Sequence, residues 1–225
     1  MTIHRQMDDE LKRLRALIVR MSDLVDEQLA DAINAVSNGD LELANRVRKR
    51  DDEVDALELE VDAQCERLLA LHTPVAVDLR FIITVVKLNT DLERVGDQAK
   101  NIAKTTAYLA GSTRLVKETR IQEMADIART ILHEAQDAFI KQNRVLARQV
   151  LAHDKQVDSL HKETFRTIVR LVEEQPEQAE ALAHLVTVSK AIERVADHAK
   201  NIAEAVVFYV EGQDIRHRKL QTASK

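Results

Sequence analysis

The chain has 225 residues, with 33 Lys and Arg against 38 Asp and Glu, a formal charge of −5 with His neutral. It therefore lacks the strong basic footprint that phosphate-driven binding of nucleic acid needs. Hydrophobic residues make up 45%, enough for a packed core, whereas 4 Gly, 2 Pro and 3% aromatics are too few for the turns and pleated faces of a strand-rich fold.

Apolar residues at spacings of three and four predict six long helices. The first runs through Leu11, Leu14, Ile18, Met21, Val25, Ala32 and Val36, with Asn38-Gly39 as its stop and Asp40 as the next N-cap. The second follows Leu43, Val47, Val54, Leu57, Val61, Cys65 and Leu68 and ends near Thr73-Pro74. The third carries Val85, Leu88, Leu92, Val95, Ala99 and Ile102. Three more follow: Ile121 to Ala135, Val150 to Ile168, and Leu185 to Ile202. At roughly 30 residues each they would be about 45 Å long, and short connections favour antiparallel neighbours.

Pro74 to Gly111 and Pro176 to Gly212 frame two similar segments. Within them, residues 91–103 and 191–203 are identical at nine of thirteen positions. Upstream, Ala44, Val47, Asp51, Val54, Asp55 and Leu57 match residues at a constant offset of 103. The expected fold is all-α, a tandem repeat of two antiparallel three-helix bundles over residues 1–111 and 112–225. The join falls near Ala110-Gly111-Ser112-Thr113-Arg114.

Four acidic pairs occupy corresponding places in the repeats: Asp51 with Asp55, Glu93 with Asp97, Asp154 with Asp158, and Glu193 with Asp197. The i, i+4 spacing puts both carboxylates of a pair on one helix face, where they repel unless a cation lies between them. Two pairs on adjacent helices would make a four-carboxylate patch in each half, an oxygen-rich set suited to Mg²⁺, Ca²⁺ or Mn²⁺ and also able to hold iron. The alternatives are solvated faces of charged helices, or a salt-bridge network through Arg94, Lys100, Arg194 and Lys200. Asn101 and Asn201 extend the stripe and read first as register-fixing amides. Gly96 and Ala196 mark close approach of a neighbouring helix.

The remaining reactive residues give little. Cys65 sits at apolar spacing and reads as core; one Cys excludes an intramolecular disulfide framework and fits a reducing cytoplasm. His198 and His153 adjoin acidic motifs, but no Glu-x-x-His pair lies near them, which weakens a ferritin-like di-iron centre. Neither G-x-x-x-x-G-K-[ST] nor G-x-S-x-G occurs, so an enzyme is not expected. No signal-peptide-like start and no run of 18 apolar residues is present, so the chain reads as soluble. The basic end, Arg216-His217-Arg218-Lys219, reads as a solvated tail.

With its doubled Glu-Arg-Val-x-Asp block, each copy followed by Ala-Lys-Asn-Ile-Ala, and with Asp51-Asp52-Glu53-Val54-Asp55 and Asp154-Lys155-Gln156-Val157-Asp158, the chain resembles the PhoU family of bacterial phosphate-uptake regulators. The resemblance covers nearly the whole chain. It implies a cytoplasmic negative regulator of phosphate uptake and of the phosphate-starvation response. Such a protein couples a phosphate ABC transporter, chiefly its ATPase subunit, to a sensor histidine kinase, and is peripheral to the membrane through these partners. A homodimer is compatible with it. In some members the acidic motifs hold metal clusters. That carries onto Asp51, Asp55, Glu93, Asp97, Asp154, Asp158, Glu193 and Asp197, with iron, Zn, Mn, Mg or Ca as candidate ions. The rivals from other classes are a carboxylate-bridged metal enzyme and a metal-independent helical scaffold. Ala191 opposite Asp91, and Ala196 opposite Gly96, mean that the two sites need not be equal.

Overall fold

The low Gly and Pro content leaves few places where a helix can readily stop, and the computed structural model places four of the six breaks between its α-helices beside them. It describes residues 2–216, apart from the side chains of residues 2–5 and of Asp154; the basic end from His217 onward lies outside the described residues. Among these there are seven α-helices and no strand: α1 (Thr2–Asn38), α2 (Leu41–Leu71), α3 (Val77–Leu109), α4 (Thr113–Glu118), α5 (Ile121–Ile140), α6 (Arg144–Glu174) and α7 (Ala179–Glu211). The six long helices are those expected from the periodicity. The short α4 is an addition that the apolar spacing did not announce.

Local chemistry explains the ends. Gly39 takes φ +69°, a left-handed conformation that costs a glycine little, and the Asp40 carboxylate accepts from the Leu43 amide at 2.9 Å to cap α2. Gly212, also at φ +69°, closes α7. Pro176 opens a 3₁₀ turn over residues 176–178 that leads into α7. The α4–α5 corner has no glycine: Arg120 itself is left-handed, at φ 58°. Two interactions hold it there. The Arg120 guanidinium reaches Glu123 and Glu163 at 2.7–2.8 Å, and the Thr164 hydroxyl of α6 donates to the Thr119 carbonyl at 3.0 Å.

Helices α1, α2 and α3 pack on one another, as do α5, α6 and α7. The two groups meet through α3 against α7 and α1 against α5. Contacts from Phe81 to Tyr209 and from Tyr108 to His184 show that α3 and α7 run antiparallel. The buried apolar residues of all the long helices form one continuous core. At one end of the seam the rings of Phe81, Phe139 and Tyr209 lie 5.7–6.2 Å apart. The Arg15 guanidinium sits over Phe81 at 4.6 Å and donates to the Tyr209 hydroxyl at 3.2 Å. This aromatic and cation–π knot ties α1, α3, α5 and α7 together. Cys65 lies in the core, its thiol pushed up to about 12 by burial. No described helix is long and apolar enough to cross a membrane.

Candidate functional site

In the first half, α2 and α3 lie side by side and bring their polar stripes together in opposite order. Along α2 the stripe is Asp51, Asp55, Glu58 and Asp62; along α3 it is Asn89, Glu93, Asp97 and Lys100. At one end the buried Asn89 amide donates to the Asp62 carboxylate at 2.8 Å and to the Glu58 carbonyl at 3.0 Å, pinning the register of the two helices. At the other end Lys100 pairs with Asp51. Asp51 is only 2% exposed, and Gln28 of α1 donates to its second oxygen at 3.2 Å, so this buried anion is both paired and hydrogen-bonded.

Between these clasps the carboxylates are poorly compensated. Loss of hydration, then the Asp97 charge, pushes Glu93 above the ordinary carboxylate range. Glu58 is raised by loss of hydration and then by Asp62, and Asp55 by loss of hydration and then by Asp51. Arg94 answers part of this charge from the same helix, 3.3 Å from Glu93 and 3.8 Å from Asp97. Lys100 is raised, chiefly by its hydrogen bond to Asp51. The salt-bridge reading of the motifs is therefore realised at Asp51, while Asp55, Glu58, Glu93 and Asp97 keep an excess of negative charge.

The second half repeats the helices without repeating the face. Asp158 and Glu193 are half-buried and Asp197 is exposed, and Glu193 is paired with Lys190 of its own helix. The side chain of Asp154 lies outside the described residues. His161 and Phe165 stand where the first half has Glu58 and Asp62. In place of the Asn89 clasp, His161 Nδ1 shares a hydrogen bond with the Ser189 hydroxyl at 2.8 Å. The face there carries fewer acids.

Two other residues go elsewhere. His198 lies 2.9 Å from Asp91 through Nδ1, and the Asn201 amide donates to the same oxygen at 3.1 Å, so both clasp α3 to α7. His153 faces Glu134 of α5 at 3.5 Å. Asn101 takes no part in a clasp of this kind; its side-chain oxygen accepts from Lys104 at 3.5 Å.

Gly96 explains how α2 and α3 come so close to α1. A methyl group there would stand 3.1 Å from Gln28 Oε1 and 3.3 Å from a Val54 methyl. Glu58, Asp62, Asn89 and Gln28 were not singled out from the sequence. Glu58 and Asp62 continue the Asp51-Asp55 face at i+7 and i+11, a signal that spacing carries. Gln28 comes from a third helix, which spacing does not show.

Carboxylates stripped of part of their hydration and repelling one another are donors of the type a hard cation takes. As the side chains stand, no three His, Cys, Asp or Glu among the described residues are gathered closely enough to hold one ion. Holding one requires Asp55, Glu58, Glu93 and Asp97 to change rotamer toward a common point. They are the residues whose charge a cation would relieve. Asp51 is already committed to Lys100 and Gln28.

A duplicated, antiparallel helical bundle with an acidic face between the second and third helices of its first half is the class of protein that these observations define. The model of the PhoU domain matches residues 18–106 and 121–206, one copy in each half. A PhoU homolog of Pseudomonas aeruginosa, a phosphate-specific transport system accessory protein, is 35% identical over 216 residues, 96% of this chain and 89% of its own length. The crystal structure of PhoU from Pseudomonas aeruginosa superposes with a TM-score of 0.86 at 33% identity, covering 92% of this chain and 99% of that one. That of the phosphate transport system regulatory protein PhoU from Streptococcus pneumoniae gives 0.85 at 27% identity, covering 93% and 99%. The chain belongs to the PhoU family.

Proposed function

We propose that this chain is an accessory protein of a phosphate-specific transport system that restrains phosphate uptake and keeps the phosphate-starvation response off when phosphate is plentiful. The observation that carries this reading is the chain-long match, in both halves, to relatives named as accessory proteins of that system. In this reading the protein works by contact. It couples the ATPase subunit of a phosphate ABC transporter to a sensor histidine kinase at the cytoplasmic side of the membrane, and the partly compensated acidic face of α2 and α3 is the charged surface offered to one of them.

A strain lacking the gene tests it. A phosphate-starvation reporter is expected to be active in high phosphate in that strain and silenced by a wild-type copy. A reporter that stays silent in the deletion strain overturns the reading.

Metal on the acidic face is a second part of the proposal, supported by the mutual repulsion of Asp55, Glu58, Glu93 and Asp97. A bound cation would supply the positive charge that the face lacks. Elemental analysis of untagged protein purified without chelator is expected to find stoichiometric metal that the Glu93→Ala, Asp97→Ala double variant loses. Wild-type protein without metal removes the ion from the account and leaves the docking face.

A further inference from the structure

The duplication makes the two grooves that flank the α3–α7 seam equivalents of one another, because residue n of α3 corresponds to n + 100 of α7. Their charge is not equivalent. One groove, of about 670 Å³, brings Asp91, Asp197, Glu204 and Asp214 together with cations. The other, of about 530 Å³, is bordered by Lys104, Lys190 and Arg194 and has no carboxylate in its lining. Three substitutions between the repeats contribute to the change: Lys104 stands where the other copy has Glu204, Lys190 where it has Thr90, and Ala191 where it has Asp91; Thr187 in place of Lys87 runs the other way, and Asp214 is added by the segment after α7.

Two of these cations have capacity to spare. Arg194 makes no ion pair among the described residues, and Lys104 touches only the Asn101 amide oxygen, at 3.5 Å. Lys190 is paired with Glu193, which borders neither groove. At one end of the cationic groove Tyr108 stacks on His184, ring centroids 3.8 Å apart and planes within 14°. Tyr108 nevertheless remains 55% exposed, which leaves ring surface open to a further planar group. From Tyr108 to Gln98, at the other end, is ten residues of helix, about 15 Å. A planar stacking platform, three cations and side-chain amides spread over that length match a ligand with a flat ring at one end and several phosphates at the other.

We propose that this groove binds a nucleoside polyphosphate, the base stacked on Tyr108 and the phosphates on Lys104, Lys190 and Arg194. The proposal rests on the groove alone and stands apart from the regulatory reading above. It is tested by calorimetric titration of the full chain with ATP, with inorganic triphosphate and with adenosine. EDTA is present throughout, so that no metal bridges a phosphate to the acidic face. ATP is expected to bind more tightly than either fragment. Tyr108→Ala should weaken ATP about tenfold, the worth of one stacked base, while leaving triphosphate unchanged. The Lys104→Glu, Arg194→Glu variant should lose both ligands, and Lys12→Glu, an exposed change on α1, should lose neither. All of these positions are exposed, and circular dichroism checks that each variant keeps its helices. ATP that fails to bind at millimolar concentration, or binds the double charge reversal as well as wild type, overturns the proposal. So does triphosphate that binds as tightly as ATP with no effect of Tyr108→Ala, since the groove is then a plain anion site.

Discussion

Asp51 and Asp55 lie one helical turn apart and have opposite surroundings. Asp51 is buried against Lys100 and Gln28, whereas Asp55 faces other acids. Lys100→Ala therefore strands a buried carboxylate with a single amide donor, and urea unfolding should show a loss of about 3 kcal/mol. Glu93 behaves in the other direction. Its pKa is raised on folding, so its contribution to stability is complete below the ordinary carboxylate range and is lost as pH climbs through the raised value. Glu93→Gln removes that loss. The variant should melt about 2 °C higher than wild type at pH 7 and show no advantage in acid, where Glu93 is itself protonated. A deficit at pH 7 that disappears in acid would mean that the Arg94 pair outweighs the repulsion. The acidic pairs were legible in the sequence because i, i+4 spacing fixes them to one face. Which carboxylate is neutralised was not, since Lys100 and Gln28 reach Asp51 from two other helices.

At the scale of helices, Gly96 sets how closely α3 approaches its neighbours. Exchanging it for Ala gains about 1 kcal/mol of helix propensity, but the new methyl lies 3.1 Å from Gln28 Oε1 and 3.3 Å from Val54. Both neighbours are buried, and overpacking of this kind costs about 1–3 kcal/mol. Gly96→Ala should lower the urea midpoint, and it should do so less in protein already carrying Gln28→Ala, which withdraws the closer obstacle. The helix ends were largely readable, because Gly39, Asp40, Pro176 and Gly212 are the residues that such ends require. The corner at Arg120 was not. A non-glycine residue holds its left-handed conformation there through Glu123, Glu163 and the Thr164 hydroxyl, partners that only the folded arrangement supplies.

Over the whole molecule, the duplicated halves share one core, and the aromatic knot of Phe81, Phe139 and Tyr209 draws on both. The chain should accordingly melt in a single cooperative transition. Residues 1–111 expressed alone should lose helicity or self-associate in size-exclusion chromatography, because the face of α3 that covers α7 would be bare. A monomeric half with native-like melting would contradict this. The repeat itself was visible as nine identities in thirteen residues, and packing of a third helix on the other half was left open by the sequence, because residues such as Leu92 and Ile192 report burial without naming the helix that buries them. The charge difference between the copies, Glu58 and Asp62 in one against His161 and Phe165 in the other, stands in the sequence, but it is the packing of α2 on α3 that puts these positions on the acidic face. On the proposed reading, that difference puts the regulatory surface on the first half.

The most direct test places the Glu93→Ala, Asp97→Ala variant in the deletion strain and reads the phosphate-starvation reporter in high phosphate, with protein abundance and helicity matched to wild type. The reporter is expected to remain as active as with an empty vector, because the α3 half of the acidic face is gone while the bundle stands. Full repression by the variant would show that this face does not carry the regulation.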